Sequence, residues 1–356
     1  MLPISMSPPS PHHQQRRIVH QTQSALLCQL LGMNCATPTD FNFSFSGFCR
    51  RGGETDIHQD GWGIVIYENG SLRQFHDAEP ASTSLLADFV CRLPIRTLNM
   101  MSHIRFATVG EVNLSNVHPF RREMWGIDFC FAHNGEVPLF DQCPNHCLTS
   151  LLQDDDEGLE NVYYYNPVGT TDSEATFCAI LNALRQKFDK VPSVPVLYDS
   201  MQKLCDEIVD SDREGTILNF LLTCGSHTLW VYSWPGSRPG SKVWNGLHYT
   251  TREYPFHSHH LCDVDITVDF STRTSKEDCV SVIATKPLTD DEEWTELERG
   301  ELVLFDRGRP QRSVVDLFQV DIDGHGLQSN VVEKSSIEDD MKTYNIDPST
   351  FQGACI

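Results

Sequence analysis

The sequence predicts an α+β fold in which two β-sheets pack face to face and helices cover their outer surfaces. Short runs dominated by β-branched and aromatic residues recur along the chain and indicate a high sheet content. Two other segments repeat their apolar residues every three to four positions, which is the spacing of amphipathic helices. Each such element must bury its apolar face against another layer, so this order of strands and helices favours a layered sandwich.

The clearest strand pair is a β-hairpin centred on Asn69 and Gly70. Two apolar runs, Ile64 to Tyr67 and Leu72 to Phe75, lie on either side of this dipeptide. Asn-Gly favours the tight two-residue turn whose backbone twist matches that of the flanking strands. We therefore predict an antiparallel hairpin at this position.

Seven further strands are predicted from runs of the same composition. They lie at 98–104, 128–132, 216–223, 228–233, 264–270, 279–284 and 301–305. Each run is short and rich in residues that fit a pleated, half-buried surface. This number of strands is large enough for two sheets.

Two amphipathic helices are predicted between the strands. The first begins after Thr171, because Thr171 and Glu174 have the spacing of a capping box. Its apolar positions share one face and are Phe177, Ile180, Leu181, Leu184 and Phe188. The second helix has the same spacing at Leu197, Met201, Leu204 and Ile208.

The length and composition favour one main domain with appendages. The chain has 356 residues, of which 40% are hydrophobic, and that is enough for one substantial core. Residues 1–27 contain four prolines and no acidic residue, so we predict a disordered extension or propeptide. The main domain is predicted over 28–306. Residues 307–356 are polar and acidic and are predicted to form a loosely packed tail.

Charge and hydropathy exclude several classes of partner. The formal net charge of −22 would repel a phosphate backbone, so we expect no nucleic-acid partner. No stretch approaches eighteen consecutive apolar residues, and we expect no membrane association. Thirteen cysteines without regular spacing fit a reducing compartment. We therefore expect a cytoplasmic protein, and the basic N-terminal segment leaves organelle import open.

Four motifs occur along the chain in a fixed order, and each would be ordinary alone. They are Cys28-Gln29-Leu30-Leu31-Gly32-Met33-Asn34, Ser102-His103-Ile104-Arg105-Phe106-Ala107-Thr108, Ala132-His133-Asn134-Gly135 and Gly169-Thr170-Thr171-Asp172-Ser173-Glu174. Shorter segments agree as well, namely Arg51-Gly52-Gly53, Asp60-Gly61-Trp62-Gly63 and His118-Pro119-Phe120. Together they resemble the class II glutamine amidotransferase family over about residues 28–306. The similarity is closest to stand-alone bacterial-type members that lack a synthase domain.

This resemblance implies a fold and a nucleophile. The family has a four-layer αββα sandwich of the N-terminal-nucleophile hydrolase type, and its first residue is a cysteine. Cys28 would then attack a carboxamide with its thiol, and its own α-amine would act as the base. A buried structural thiol is the usual role of a cysteine, and position alone favours that role for Cys28. The family resemblance reverses this preference.

The resemblance also assigns the groups around the nucleophile. Arg105 and Thr108 would bind the α-carboxylate of a glutamine or γ-glutamyl group, and Asp172 would bind its α-ammonium. Asn134 and Gly135 would stabilise the charge that develops on the attacked carbonyl oxygen. Each residue also has a simpler interpretation: an ion pair for Arg105, turn residues for Thr108 and Asn134-Gly135, and a helix-stabilising charge for Asp172.

Other conspicuous residues are predicted to be structural. His103, His118 and His133 are interpreted as packed, hydrogen-bonded side chains, because a thiol activated by an α-amine needs no histidine. Two clusters that contain histidine and cysteine lack paired Cys-x-x-Cys spacing, so we predict no metal site and no cofactor. These clusters are Cys143, His146 and Cys147, and His257, His259, His260 and Cys262.

The sequence leaves the start of the active protein and its substrate open. Leu27 precedes Cys28, and a peptide bond there would block the required amine. Residues 1–27 are a propeptide, a targeting segment or an error in the assigned start of translation. The enzyme either hydrolyses glutamine and supplies ammonia to a synthase partner, or cleaves a γ-glutamyl bond in a small molecule. The third alternative is a catalytically silent ligand-binding module in which Cys28 remains blocked.

Overall fold

The structure is a computed structural model that describes residues 28–107, 110–152, 163–236, 246–271, 274–312 and 317. Over these residues the strands form three sheets. They are a seven-stranded sheet (the first sheet), a six-stranded sheet (the second sheet) and a two-stranded ribbon. All strand pairs within the described residues are antiparallel.

The first sheet has the strand that follows Cys28 at its centre. Numbered in chain order and given in spatial order, its strands are β13 (Thr295–Glu296), β9 (His248–Glu253), β12 (Cys279–Ala284), β1 (Gln29–Asp40), β4 (Arg96–Ile104), β2 (Trp62–Glu68) and β3 (Ser71–Asp77). The first seven residues of β1 are all buried, as expected for a strand whose two faces are both covered by other layers. This central position fixes the end of β1 where Cys28 lies.

The second sheet packs on the first. In spatial order its strands are β15 (Arg309–Gln311), β14 (Glu301–Asp306), β8 (Thr228–Trp234), β7 (Ile217–Cys224), β6 (Ile127–Glu136) and β5 (Phe120–Met124). The ribbon consists of β10 (Ser258–His260) and β11 (Thr267–Asp269).

Helices cover both outer faces. They are α1 (Asn42–Arg50), α2 (Leu85–Val90), α3 (Pro138–Gln142), α4 (Asp172–Lys187) and α5 (Val194–Ser211), with a 3₁₀ turn at Leu114–Asn116. Apolar residues of α1 and α2 share a cluster with the outer face of the first sheet. Those of α3, α4 and α5 share a cluster with the outer face of the second sheet.

The sheets meet through an inner apolar layer that follows from strand alternation. Leu30 points into this layer, whereas Leu31 lies in the cluster beneath α1 and α2. Val65 and Met101 join it from the first sheet, and Leu221 joins it from the second. Successive side chains of a strand point to opposite faces, so a strand that is buried on both sides has no polar face. The predicted four-layer αββα sandwich is thereby confirmed.

The predicted hairpin is confirmed in detail. β2 and β3 pair antiparallel, and Glu68 lies opposite Ser71 at the turn. Asn69 and Gly70 have φ angles of 51° and 77°. Positive φ at both turn residues is the geometry that Asn-Gly tolerates best.

Six of the other predicted strands are confirmed within a few residues of their bounds and correspond to β4, β6, β7, β8, β12 and β14. The strand predicted at 264–270 was too long, because only Thr267–Asp269 is strand. Sequence reasoning did not identify β1, β5, β9 and the short strands β10, β13 and β15, and it did not identify α1 to α3 as helices. β1 contains Gly32, Asn34 and Pro38, which are depleted in strands, and sheet pairing on both sides overrides these local preferences.

Both predicted helices are confirmed, but the capping box at the first is only half formed. The Thr171 hydroxyl accepts a hydrogen bond from the Glu174 N–H. The Glu174 carboxylate accepts hydrogen bonds from the N–H groups of Val168 and Gly169 and forms an ion pair with Arg122. Glu174 therefore holds the segment that leads into the helix, which a local motif could not predict.

The predicted division of the chain stays a prediction. Residues 1–27 lie outside the described residues, as does most of 307–356. Strand β15 lies beyond residue 306, where its Arg309 pairs with Asp306 of β14. Among the described residues, no helix combines the length and the apolar character needed to cross a membrane.

Candidate active site

Cys28 lies at the entry to β1, beside the end of β4. Its Sγ atom is 3.3 Å from the Phe106 N–H nitrogen, which donates to it, and 3.5 Å from the Phe106 carbonyl oxygen. Burial raises the pKa of the Cys28 thiol to about 11, although the Phe106 backbone and Arg105 act in the opposite direction and Asp172 adds to the increase. At neutral pH this thiol keeps its proton, so a nucleophilic role requires a proton acceptor nearby.

Arg105 directly follows β4 and is 3% exposed. Its guanidinium donates to the carbonyl oxygens of Glu111 at 2.9 Å and Gly110 at 3.3 Å. Burial lowers the pKa of Arg105, whereas Cys28 and Asp60 raise it. The carbonyl contacts orient the planar group. Such a buried cation can bind an anion with several donors in a fixed geometry.

Asp60 supports the segment that carries Arg105, and sequence reasoning did not assign it a role. Its carboxylate accepts a hydrogen bond from the Ala107 N–H at 2.8 Å, and its own N–H donates to the Arg105 carbonyl at 3.2 Å. Asp60 therefore fixes the backbone of the turn that includes Arg105, Phe106 and Ala107 through these two hydrogen bonds. The sequence indicates Asp60 only through the motif Asp60-Gly61-Trp62-Gly63.

Asp172 is the first residue of α4, as predicted. One carboxylate oxygen accepts a hydrogen bond from the Val137 N–H at 2.7 Å, and the other accepts from the Ser173 N–H at 2.8 Å. A carboxylate at this end of a helix stabilises the helix dipole. The same contacts fix its position near Cys28, whose pKa it raises. The helix-stabilising role and a ligand-binding role are therefore compatible.

Asn134 and Gly135 lie near the end of β6. Asn134 is 2% exposed, and its Oδ1 atom has no hydrogen-bond partner among the described residues. Gly135 has a φ of 157°, and a Cβ atom there would lie 1.8 Å from the Ile217 carbonyl oxygen. Only glycine fits at this position. A side-chain amide and a backbone N–H at one strand end can stabilise a developing negative charge.

Asn116 links the two segments that flank the site. Its side-chain amide donates to the Glu111 carbonyl and the Thr170 hydroxyl, and its Oδ1 accepts from the Thr170 N–H. Glu111 in turn accepts from Arg105. Asn116 therefore ties the loop that holds Arg105 to the segment that leads to Asp172. No sequence motif indicated this residue.

The three histidines of the motifs are packed as predicted. His118 accepts the His133 N–H through Nδ1 at 3.2 Å. His133 Nε2 lies 3.1 Å from the Ile217 carbonyl and must donate to it, so Nδ1 of the neutral ring accepts from Ser173 at 2.8 Å. Burial lowers the pKa of all three histidines. The His103 ring packs on His118, and its ring nitrogens make no hydrogen bond of good geometry among the described residues, although the His133 backbone acts to raise its pKa.

Thr108 lies outside the described residues. The other predicted residues meet at one end of the sandwich. The charges of Arg105 and Asp172 both affect the pKa of the Cys28 thiol. The Asp172 carboxylate also accepts a hydrogen bond from the Val137 N–H, next to the end of β6 where Asn134 and Gly135 lie.

In the described part of the chain, no group of three or more His, Cys, Asp or Glu side chains is arranged to hold a metal ion.

Comparisons with known proteins find related sequences and a related solved structure. The family model "Glutamine amidotransferases class-II" matches residues 27–323. A Haemophilus influenzae protein named "Putative glutamine amidotransferase" is 38% identical over 310 residues, which cover 87% of this chain and 95% of that protein. The Escherichia coli protein "Putative glutamine amidotransferase YafJ" is 38% identical over 280 residues, which cover 78% of this chain and 97% of that protein. The crystal structure of a "predicted glutamine amidotransferase" from Pseudomonas aeruginosa matches this structure with a TM-score of 0.55 at 35% sequence identity. The match covers 80% of this chain and 99% of that chain.

Proposed function

The chain belongs to the class II glutamine amidotransferase family, and from that premise we propose that it hydrolyses a glutamine or γ-glutamyl amide bond through a thioester on Cys28. The sandwich described above is the N-terminal-nucleophile hydrolase fold of that family. The reaction releases ammonia from glutamine, or an amine from a γ-glutamyl conjugate.

One observation carries the proposal: a thiol, a buried guanidinium and a fixed carboxylate meet at one end of the sandwich. Arg105 lowers the pKa of the Cys28 thiol and Asp172 raises it, so both charges lie within electrostatic reach of the sulfur atom. The head of a γ-glutamyl group carries an α-carboxylate and an α-ammonium. A cation and an anion that both act on one nucleophile match these two charges.

The raised pKa of Cys28 means that the proposed reaction needs a base for the thiol. The thiol transfers its proton to the α-amine of the same residue, and sulfur attacks the amide carbon. The Asn134 amide and the Gly135 N–H stabilise the negative oxygen of the tetrahedral intermediate. The carbon–nitrogen bond then breaks, and the departing amine takes the proton from the α-ammonium. Water attacks the resulting thioester, which releases the free acid and restores the thiol.

We expect the active protein to begin at Cys28. The mechanism needs a free α-amine, and the family match begins at residue 27, one position before the cysteine. Intact-mass measurement and N-terminal sequencing of the active fraction test this expectation. Full activity in a protein that retains residues 1–27 would eliminate the α-amine as the base. A native protein that keeps these residues, binds glutamine and turns nothing over would support the silent ligand-binding module instead.

The reactivity of Cys28 supplies a control for this test. While the amine is blocked, the thiol should follow its raised pKa of about 11, so its alkylation by iodoacetamide should accelerate with each pH unit toward that value. After removal of residues 1–27, the alkylation rate should begin to rise at a lower pH, because the free α-amine accepts the proton of the Cys28 thiol. Mass mapping of the modified cysteine identifies the site. Identical pH profiles for both forms would contradict the proposed proton transfer.

We expect a common γ-glutamyl head in all substrates and a strong dependence on Arg105. Glutamine and a panel of γ-glutamyl amides and peptides should be screened with the processed protein. Substrates that lack the α-carboxylate or α-ammonium lose a charge-assisted contact, which costs about 1–3 kcal/mol or more. Tolerance of large leaving groups would indicate a peptide or conjugate as the natural substrate. Strict preference for glutamine would indicate ammonia supply to a synthase partner.

The Arg105→Lys variant tests the assignment of the carboxylate site. A point-charge ammonium cannot reproduce the planar fork of donors, so kcat/KM should fall by about tenfold or more for every substrate that carries the carboxylate. Arg121→Lys is the matched control, because Arg121 makes two hydrogen bonds to Asp128 at an exposed position. Parent-like kcat/KM in Arg105→Lys would remove Arg105 from the substrate site.

A further inference from the structure

A row of buried polar side chains crosses the inner face of the second sheet. Asn134 of β6 pairs with Asn219 of β7, which pairs with Ser233 of β8. Asn219 and Ser233 are both 0% exposed. Their neighbours Phe220 and Tyr232 point to the opposite face, beneath the helices. Polar groups buried between two apolar layers cost free energy unless they are hydrogen-bonded, so their partners define their role.

The hydrogen bonds in this row all run in one direction. The Leu247 N–H donates to Ser233 Oγ at 3.2 Å, and this hydroxyl donates to Asn219 Oδ1 at 3.1 Å. The Asn219 side-chain amide then donates to the carbonyl oxygen of Asn134 at 3.2 Å. Dipoles that are aligned head to tail polarise one another, and the effect is strongest where water is absent.

The row ends on the peptide unit proposed to stabilise the reaction intermediate. The Asn134 carbonyl and the Gly135 N–H belong to the same planar peptide group. A hydrogen bond to that carbonyl draws electron density toward oxygen and makes the N–H a stronger donor. It also fixes the direction in which this N–H points. The absence of a Cβ on Gly135 lets the same peptide approach Ile217 of β7 closely.

We propose that Asn219 is a positioning residue that orients and polarises the Gly135 N–H, with Ser233 holding the Asn219 amide in the donating orientation. This inference rests on the proposed function, since it assumes that the Gly135 N–H faces the reacting carbonyl oxygen. Asn219 acts through the peptide and does not touch the substrate. The stabilisation that Asn219 supplies therefore grows as negative charge develops on that oxygen. Asn219 stabilises the transition state and contributes little to substrate binding.

The test is steady-state kinetics of Asn219→Ala on the processed protein. We expect kcat to fall about tenfold or more, while KM and the inhibition constant of the product glutamate change less than about twofold. Ser233→Ala leaves Asn219 in place and should lower kcat by a smaller factor with the same unchanged KM. This second variant keeps the proposal testable if Asn219→Ala does not fold.

Asn99→Ala is the matched control. Asn99 is also 0% exposed and donates to a main-chain carbonyl, that of Thr228 at 2.8 Å, but it lies outside the row. It should lower the melting temperature without a selective loss of kcat. Equal kcat values for the Asn219, Ser233 and Asn99 variants would overturn the inference. An active parent with an unaffected Asn219→Ala refutes the inference alone, whereas a processed parent without turnover refutes the proposed function and the inference together.

Discussion

Replacement of Cys28 by alanine should lower the rate of γ-glutamyl hydrolysis by at least about 10³-fold, because no thiol remains to form the covalent bond. The charges that hold the γ-glutamyl head stay in place. Glutamine should therefore still bind Cys28→Ala with an affinity close to that of the parent. Turnover assays combined with isothermal titration calorimetry measure the two effects separately.

Cys91→Ala is the control for this variant. Cys91 is a partly buried free cysteine that follows α2 and packs against the outer cluster of the first sheet. Its replacement should leave kcat and KM near their parent values. Turnover by Cys28→Ala at a parent-like rate would eliminate Cys28 as the nucleophile. If Cys28→Ala lost both glutamine binding and the folded state, Cys28 would be assigned only the structural role of a buried thiol.

Replacement of Asn134 by alanine should lower kcat by roughly 10²–10³-fold, the typical cost of removing one donor to a developing oxyanion. Its amide is almost completely buried, and its Oδ1 has no partner among the described residues. The stabilising group would be the side-chain N–H of Asn134, because the amide oxygen is an acceptor and cannot bind a negative oxygen. Because the charge on oxygen appears only in the transition state, KM should change little.

Thermal unfolding and product inhibition complete the Asn134 experiment. The lost side chain leaves a small cavity, so a modest decrease in melting temperature is expected. Inhibition by glutamate should be retained, because Arg105 and Asp172 still read its charges. A kcat within about threefold of the parent would exclude Asn134 from stabilisation of the intermediate. A parallel loss of glutamate inhibition would instead indicate a collapsed site.

Local signals identified several elements of the fold. The Asn69-Gly70 hairpin and the α4 cap at Thr171 depend on residues only a few positions apart, and such signals survive without tertiary context. β1 was missed because its Gly32, Asn34 and Pro38 disfavour a strand locally. Two neighbouring strands supply the stabilisation that its own composition lacks.

The sequence by itself determined the family, the fold class and the residues proposed for the site. Cys28, Arg105, Asn134, Gly135 and Asp172 stood in recognisable motifs, and their residue types matched the chemistry. The order of these motifs predicts an amide hydrolase with a cysteine nucleophile, and that function stays a prediction.

Only the tertiary structure decided how these groups are supported. Asp60, Asn116 and Asn219 hold the Arg105 turn, the flanking loops and the Asn134 carbonyl through contacts between segments far apart in the chain. Strand register sets such contacts, and a shift of one residue would turn Asn219 from the inner face to the helix-covered face. Register depends on how whole sheets pack, so no local pattern around these residues could predict it.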